Sequence, residues 1–249
     1  ALVNGDDRRG SVMFQNSKAT HHTFALKSSA DFKAKILSNT LEGLELDINS
    51  KQIWFRMIGA FNAYNLLGAL GVAVLLGEDE DEVLRTLSAI RGAKGRFDRI
   101  SIGGIIAIVD YAHTPDALQQ SLVALRQQSR GRLWCVFGCG GDRDKSKRPV
   151  MGRIAEQYAD HVIITADNPR TEAVIDICND IAAGMVTGAN CQIETDRESA
   201  IKLALIEAHA GDMILVAGKG HEAYQAIGAT VRDYDERKFI NSLLAEMCR

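Results

Sequence analysis

The chain has 249 residues, of which 46% are hydrophobic, so it is long enough to bury the core of one large domain or two ordinary ones. Its 29 basic and 32 acidic residues nearly balance, and Lys and Arg form no long run, which argues against nucleic acid or an anionic membrane surface as a partner. The composition does not exclude small polar or acidic ligands.

The N-terminal segment predicts short strands. ALVNGDDRRG is not a signal peptide, and because the chain lacks an initiator Met we expect it to be a piece of a longer protein. Between residues 1 and 56, apolar and polar residues alternate in SVMFQN, HHTFALKS and KQIWFRM. This alternation is typical of antiparallel strands with one solvated face.

Two helices are predicted next, because apolar residues recur three and four apart over residues 58–77 and 79–92. The apolar stretch LLGALGVAVLLG in the first is too short to span a bilayer, and the second opens with acids, which suit a helix N-terminus. Glycines and charges then accumulate in RGAKGRFDRI. We therefore place a linker near residues 92–98 and divide the chain into domains at 1–97 and 98–249.

After this linker, strands and helices alternate. The apolar runs IIAIVDYA, RLWCVFG, HVIITAD and DMILVAG lack alternation, as strands buried on both faces do, and helical stretches lie near residues 114–129, 148–159, 171–186 and 196–209. This pattern predicts an α/β fold with a doubly wound, mostly parallel, Rossmann-like sheet. Ligands of such sheets bind beyond the carboxyl ends of the strands, so the loops DYAHTPD, GCGGDRDKSKRP, DNPRTE and GKGHEAYQ form the candidate site.

The cysteines predict a reducing compartment. Cys135, Cys139, Cys178, Cys191 and Cys248 make an odd number without a CxxC pair, which fits reduced thiols of a cytoplasmic protein better than disulfides or zinc. Cys135 and Cys139 have apolar neighbours, and we expect them to pack in the core.

Each loop allows a purely structural interpretation. GCGGDRDK could line an anion site or form a glycine turn for tight packing, and it departs from the GxGxxG fingerprint because position 143 is Arg. GKGHE is too short for GxxxxGK[ST], and the chain contains no such phosphate-binding loop. His113 could be a general base beside Asp110 or a hydrogen-bonding loop residue, but no Ser or Cys lies in a nucleophile elbow, which argues against a hydrolase.

The charges of the loops predict an amino-acid ligand. Arg143 and Arg170 can hold a carboxylate in bidentate fashion, whereas Asp167 and Glu222 can accept hydrogen bonds from an ammonium group. Pro169 restricts its own φ and the conformation of the residue before it, which makes DNPR a preset corner. The alternative is a turn that ends one strand and caps the next helix.

Six motifs carry a family resemblance. FNAYNLLGAL, GRF, VDYAHTPDAL, VFGCGGDRDKSKRPVMG, DNPRTE and LVAGKGHEAYQ, in this order, resemble the Mur ligases, and among them the branch that adds meso-diaminopimelate to UDP-N-acetylmuramoyl-L-alanyl-D-glutamate. The resemblance covers the later part of the central ATP-binding domain, residues 1–97, and the C-terminal amino-acid-binding domain, residues 98–249. The nucleotide-sugar domain, the P-loop and the carbamylated lysine of the family are not matched in this chain.

The resemblance implies roles for particular residues. The residues expected to bind meso-diaminopimelate are Arg143, Asp167, Asn168, Pro169, Arg170, Gly218 and Glu222. The residues expected to contact the nucleotide are Asn62, Arg96, Asp110 and His113. No metal ligand is expected in this chain. Because a second carboxylate distinguishes diaminopimelate from lysine, a lysine-adding homologue is expected to differ at the position of Arg170.

The resemblance also implies a reaction. ATP converts the terminal carboxylate of the peptidoglycan precursor into an acyl phosphate, Mg²⁺ screens the phosphates, and the amine of diaminopimelate attacks to form the amide. We expect a cytoplasmic monomer with no nucleic-acid or membrane partner, and an isolated chain that is inactive. The alternatives are a lysine-adding homologue, a folylpolyglutamate synthetase-like ligase, a nicotinamide oxidoreductase and a non-catalytic binding module.

Overall fold

The computed structural model describes residues 1–188 and 190–247, so Cys248 lies outside the described residues. The chain divides into two compact units, Ala1–Gly92 and Ala93–Arg249. Residues 93–97, which the sequence places in the linker, group with the second unit.

The first unit contains a five-stranded sheet in the order β1-β2-β3-β4-β5, and a short 3-10 helix at Gly10–Phe14. The strands are β1 (Leu2–Asn4), β2 (His22–Ala25), β3 (Phe32–Thr40), β4 (Gly43–Ile48) and β5 (Lys51–Phe55). Strands β3, β4 and β5 pair antiparallel as predicted, whereas β1, β2 and β3 pair parallel. The prediction was wrong for these first pairings because alternation reports one solvated face and carries no information on strand direction.

Two helices pack against this sheet, α1 (Ala60–Leu75) and α2 (Glu80–Ala89). Leu66, Leu67 and Leu70 of α1 belong to one buried cluster with Leu46 and Phe55 of the sheet, among others. Helix α2 begins after Asp79, whose carboxylate accepts a hydrogen bond from the backbone N–H of Glu82 and so caps the helix. No helix within residues 1–188 and 190–247 combines the length and the apolar character that crossing a membrane requires.

The second unit contains a six-stranded sheet in the order β10-β9-β8-β11-β7-β6 and a separate hairpin of β12 and β13. The strands are β6 (Asp98–Ile102), β7 (Ile105–Asp110), β8 (Leu133–Phe137), β9 (His161–Ile164), β10 (Cys191–Ile193), β11 (Met213–Ala217), β12 (Tyr224–Ile227) and β13 (Thr230–Asp233). The helices are α3 (Pro115–Arg126), α4 (Lys147–Tyr158), α5 (Val174–Ala182), α6 (Arg197–Glu207) and α7 (Glu236–Met247).

Strands β7 to β11 are parallel to their neighbours, and β6 pairs antiparallel with β7 at one edge. The predicted doubly wound, mostly parallel sheet is therefore confirmed. The edge strands β6 and β10 and the hairpin were not predicted, because edge strands are short or half exposed and lack the continuous apolar run of a central strand.

The central strands form the core of this unit. All five residues of β8 and of β11 are buried. Ala200, Ile201 and Ala204 of α6 and Ile240 of α7 pack into the cluster that contains Val109 and its neighbours on adjacent strands. The sheet is thus rigid where its loops begin, and a rigid sheet can hold loop residues in fixed positions.

The expectation that Cys135 and Cys139 pack in the core is confirmed, since their exposed fractions are 0% and 3%. Burial raises the pKa of the Cys139 thiol to about 12, which keeps it protonated and unreactive at neutral pH.

Candidate functional site

The carboxyl ends of the parallel strands open into a cleft of about 540 Å³ within the second unit. Its lining comes from all four loops that the sequence selected. The lining residues are Tyr111, His113, Thr114, Gly140, Arg143, Asp144, Lys147, Asp167, Asn168, Arg170, Gly218, Glu222 and Tyr224. The strand order brings these loops together, because β11 lies between β7 and β8.

The glycine-rich loop after β8 packs tightly against the corner formed by residues 167–170. Gly141 donates its backbone N–H to the carbonyl of Asn168 at 2.9 Å. A Cβ atom at Gly141 would lie 1.9 Å from the carbonyl oxygen of Pro169, so a side chain does not fit there. These contacts favour the tight-packing interpretation of GCGG. Pro169, within the corner, is buried.

Glu172 braces the same two loops from outside the cleft. Its carboxylate accepts hydrogen bonds from the backbone N–H of Asp142 at 2.6 Å and from the guanidinium of the fully buried Arg148 at 2.9 and 3.0 Å. Arg148 holds the pKa of Glu172 well below its usual range, which keeps the carboxylate ionised. Sequence analysis missed this pair, because Arg148 is one of several cations in a charged stretch.

The hairpin of β12 and β13 is attached to the corner by the backbone of Arg170. Arg170 N–H donates to the carbonyl of Ala226 at 3.2 Å, and Gly228 N–H donates to the carbonyl of Arg170 at 2.6 Å. The side-chain amide of Gln225 donates to the carbonyl of Asp167 at 2.9 Å. The glycine between two strand-like segments, YQAI and TVRD, is a turn signal that could have revealed this hairpin.

Two arginines present cationic groups at the cleft. Nη1 of Arg170 donates to the carbonyls of Gly141 at 2.8 Å and Asn168 at 3.4 Å, and within the described residues its Nε and Nη2 donate to no protein acceptor. Arg143 is exposed, and its side chain forms no hydrogen bond or ion pair with any residue that the structure describes. Both guanidinium groups can therefore receive an anionic ligand.

Asp167, Asn168 and Glu222, which line the same cleft, belong to a polar cluster built around Lys219. Its ammonium, which is fully buried, donates to Asn168 Oδ1 and to Glu222 Oε2, both at 3.1 Å, and lies 3.9 Å from Asp167 Oδ1. Asn168 Nδ2 donates to Glu222 Oε2 at 2.8 Å. Gly218 permits this arrangement, since a Cβ atom there would lie 2.7 Å from Asp167 Oδ2. Sequence analysis missed Lys219, although a lysine between two glycines at a strand end was a signal.

A buried ion pair lies next to the strand ends from which the cleft loops begin. Arg197 of α6 pairs with Glu236 of α7, and both side chains are fully buried. The guanidinium of Arg197 also donates to the carbonyl of Ala166 at 3.0 Å and to that of Ala217 at 2.9 Å. It thereby connects the carboxyl ends of β9 and β11, from which the corner and the GKGHE loop emerge. Burial raises the pKa of Glu236, an effect that Arg197 opposes.

Both carboxylate oxygens of Asp110 accept hydrogen bonds from other residues of the protein, and neither bonds to His113. Its Oδ1 accepts from the backbone N–H groups of Phe97 at 3.1 Å and Tyr111 at 2.9 Å, and its Oδ2 accepts from Ser121 Oγ at 2.6 Å. His113 Nδ1 instead lies 2.8 Å from the carbonyl oxygen of Tyr111. Within residues 1–188 and 190–247, no group of three or more His, Cys, Asp or Glu side chains is placed to hold a metal ion.

Two histidine rings and one guanidinium group surround the ring of Tyr111, which lines the cleft. Its ring lies 4.6 Å from that of His113 and 4.8 Å from that of His221, and the guanidinium of Arg96 lies 4.5 Å from its centroid. The structure thus brings together Arg96 and His113, two of the residues expected to contact a nucleotide. Asn62 lies in the first unit, where its side chain donates to the carbonyl of Ile58 at 2.7 Å.

Comparison with known families gives two matches along the chain. Residues 1–73 match the Mur ligase middle domain, and residues 95–220 match the domain described as "Mur ligase, glutamate ligase domain".

Individual relatives are similar over nearly the whole chain. The UDP-N-acetylmuramoyl-L-alanyl-D-glutamate--2,6-diaminopimelate ligases of Cytophaga hutchinsonii and Parabacteroides distasonis are 50% and 47% identical, each over 98% of this chain and 51% of its own length. A solved structure of a ligase with the same name is 35% identical, with a TM-score of 0.66, and the match covers 100% of this chain and 53% of that one. The chain therefore spans about half the length of the relatives that it matches.

Proposed function

Because the chain belongs to the Mur ligase family, we propose that it supplies the amino-acid site of an ATP-dependent ligase that adds meso-diaminopimelate to UDP-N-acetylmuramoyl-L-alanyl-D-glutamate in peptidoglycan synthesis. The observation that carries the proposal is one cleft whose lining includes both guanidinium groups, from Arg143 and Arg170, and carboxylates, from Asp167 and Glu222. Diaminopimelate carries two carboxylates and two amino groups. Its charges therefore complement those of the cleft.

The proposed contacts follow from these charges. Arg170 binds the distal carboxylate of diaminopimelate with the guanidinium N–H groups that the protein leaves unused, and Arg143 adds a second cation. Glu222 and Asp167 accept from an ammonium group. Asn168 and Pro169 shape the corner, and Gly218 leaves room for Asp167.

The proposed nucleotide contacts lie around Tyr111. The guanidinium of Arg96 and the ring of His113 both lie against the ring of Tyr111, and together these groups offer a surface on which a planar base can stack. Asp110 holds the loop that carries Tyr111, since its carboxylate oxygens are already used by the protein. Asn62 of the first unit completes the set that the family resemblance implies. Residues 1–97 are proposed as the later part of the central ATP-binding domain and residues 98–249 as the C-terminal domain.

In the proposed reaction, the carboxylate of the peptidoglycan precursor becomes an acyl phosphate at the expense of ATP, and an amine of diaminopimelate displaces phosphate to form the amide. The role of this chain is to bind and orient the amine, and correct positioning supplies much of the rate of such reactions. Mg²⁺ belongs with the phosphates, and the described residues hold no cluster of side chains suited to bind it. We propose a cytoplasmic monomer without nucleic-acid or membrane partners.

The test is amino-acid incorporation by the full-length protein that contains this chain. Meso-diaminopimelate is expected to be used with ATP, while L-lysine and L-glutamate are used poorly. Efficient use of lysine would favour the lysine-adding homologue, and efficient use of glutamate the folylpolyglutamate synthetase-like ligase. Because the chain contains no GxxxxGK[ST], we expect no ligase-like ATP hydrolysis from the chain alone. Mg²⁺-dependent ADP formation by this chain would contradict that expectation.

A further inference from the structure

We propose that Lys219 is a positioning residue that makes the cleft selective for an amino acid with a second ammonium group. It orients Glu222 through two contacts and leaves one carboxylate oxygen for the ligand. The inference rests on the proposed function, and it concerns a residue that does not itself line the cleft.

Lys219 acts through its neighbours because ligand cannot reach it. Its exposed fraction is 0%, whereas Asn168 and Glu222 line the cleft. The ring of Tyr224, which also lines the cleft, has its centroid 5.5 Å from the Lys219 ammonium. A buried ammonium is tolerated only when it is paired, so its position is determined by its carboxylate and amide partners.

The hydrogen bonds determine which way Asn168 points. Lys219 can only donate, and the backbone N–H of Ala226 can only donate as well, at 2.9 Å. Both reach Oδ1 of Asn168, so Nδ2 must point the other way, and there it donates to Glu222 Oε2. Lys219 and the Ala226 N–H thus together select the orientation in which the amide holds Glu222.

The same contacts leave one oxygen of Glu222 available. Oε2 receives both Lys219 and Asn168. Within the described residues, Oε1 of Glu222 accepts no hydrogen bond, so it is the atom that can meet a ligand. A carboxylate with one oxygen tethered loses little side-chain freedom when a ligand ammonium arrives.

The charge balance favours a cationic group at this place. Lys219 contributes one positive charge, and the carboxylates of Asp167 and Glu222 lie 3.9 and 3.1 Å from it. One negative charge of the cluster is therefore not compensated by Lys219. An ammonium group of the ligand supplies the missing positive charge in a partly desolvated place, where charge-assisted hydrogen bonds are strong.

The experiment compares two amino acids in the full-length protein. The pair is meso-diaminopimelate and 2-aminopimelate, which has the same carboxylates but one amino group fewer. In the unmodified protein, we expect kcat/KM to favour diaminopimelate by about tenfold or more, the range of a hydrogen bond to a charged group. In Lys219→Met, this preference should fall towards one, mainly through a higher KM for diaminopimelate. Lys202→Met, at an exposed position on α6, is the matched control and should keep the full preference.

A double variant distinguishes a loss of selectivity from a loss of folding in Lys219→Met. Lys219→Met alone leaves the buried carboxylate of Asp167 and the half-buried carboxylate of Glu222 without this cation. The double variant Lys219→Met/Glu222→Gln should therefore regain thermal stability but not the preference for diaminopimelate. If Lys219→Met, or the double variant, keeps the preference of the unmodified protein, Lys219 does not set the selectivity. Equal losses of kcat/KM for both amino acids would also overturn the proposal, because they indicate a structural role alone.

A measurement without substrate separates this inference from the proposed function. In the chain itself, NMR of the Asn168 side-chain amide should show slow hydrogen exchange that becomes fast in Lys219→Met. If the full-length protein does not use diaminopimelate, the proposed function fails, and protection lost in Lys219→Met would still support the positioning role. Unchanged protection in the variant would overturn that role.

Discussion

Arg170 combines an unusual backbone with a side chain that the protein uses only in part. Its φ is +51°, in the left-handed region that residues with a Cβ atom rarely adopt. Its backbone N–H and carbonyl both bond to the hairpin of β12 and β13. The two backbone bonds to the hairpin stabilise this conformation, in which Arg170 lines the cleft.

We therefore expect substitutions of Arg170 to act on the distal carboxylate of the amino acid. Arg170→Ala in the full-length protein should lower kcat/KM for diaminopimelate. The loss of binding free energy in the transition state should be on the order of 2–5 kcal/mol if the contact is desolvated. Arg170→Lys should cost less but still a marked amount, because lysine keeps the charge and loses the planar fork. The low activity with L-lysine as substrate should change little, since lysine has no distal carboxylate.

Arg170→Gly is the matched control for the backbone. Both the glycine and the alanine variant lack the guanidinium, but glycine adopts a positive φ without strain. Equal effects of the glycine and alanine variants on diaminopimelate would assign the loss to the side chain. Should diaminopimelate and lysine lose activity in the same proportion, Arg170 supports the corner and does not contact the substrate.

At the scale of elements, the sheet and its covering helices meet at the buried pair of Arg197 on α6 and Glu236 on α7. Because Arg197 also binds the carbonyls of Ala166 and Ala217, it links two helices to the ends of two strands. Removing one member leaves a buried charge without a partner.

Arg197→Met should therefore destabilise the second unit by about 3–5 kcal/mol in denaturant unfolding. The double variant Arg197→Met/Glu236→Leu should be more stable than Arg197→Met, because it no longer buries an uncompensated carboxylate. The single variant Glu236→Leu completes the comparison. If the loss of unfolding free energy in the double variant equals the sum of the losses in the two single variants, the residues are not coupled and this account of the pair is wrong.

Helix α4 is joined to the segment before β10 by one carboxylate. Glu156 accepts from the backbone N–H groups of Val186, Thr187 and Gly188 at 2.7 to 2.9 Å. These bonds lower the pKa of Glu156 from its usual 4.5 to about 2. The ionised form is thus favoured by folding, so the stabilisation is fully present above pH 4.5 and is lost as the pH falls towards 2.

Glu156→Gln should accordingly be less stable than the unmodified chain at pH 6, and the difference should shrink as the pH falls from 4.5 towards 2. The measurement is the midpoint of denaturant unfolding across this pH range. Asp116→Asn, on α3, serves as a control for removing one negative charge. A difference that stays constant with pH would show that ionisation of Glu156 does not contribute.

At the scale of the whole molecule, the chain contains two compact units, and the segment between them is only partly accessible. Arg91 and Lys94 are exposed, whereas Gly95 and Phe97 are buried. Gly95 lies against the backbone of Gly220, with no room for a Cβ atom. The second half of the predicted linker is thus part of the packed second unit.

Limited proteolysis with trypsin should therefore cut first after Arg91 or Lys94, and the fragment that begins near residue 93 should remain folded, as judged by its circular dichroism and cooperative unfolding. Arg132, exposed at the start of β8, is an internal control because it precedes a buried strand. Cleavage after Arg132 before cleavage in the linker would contradict the independent folding of the second unit.

Sequence alone predicted the α/β class, the four central strands, most helices and the four loops that line the cleft. It could do so because helix periodicity and the continuous apolar runs of IIAIVDYA or DMILVAG are local patterns, and the loops that follow such strands lie at one edge of a parallel sheet. The charges of Arg143, Arg170, Asp167 and Glu222 predict an amino-acid ligand, and this assignment stays a prediction.

Tertiary structure alone decided how these side chains are held. The position of β11 between β7 and β8, the parallel pairing of β1 with β2, and the attachment of the hairpin to Arg170 depend on contacts between residues distant in sequence. The partners of Lys219 and Arg197 lie on separate elements, and a lysine or arginine in a sequence looks the same whether it is solvated or buried. Burial converts such a residue into a determinant of the site, because a desolvated charge must be paired and its partners are held in place.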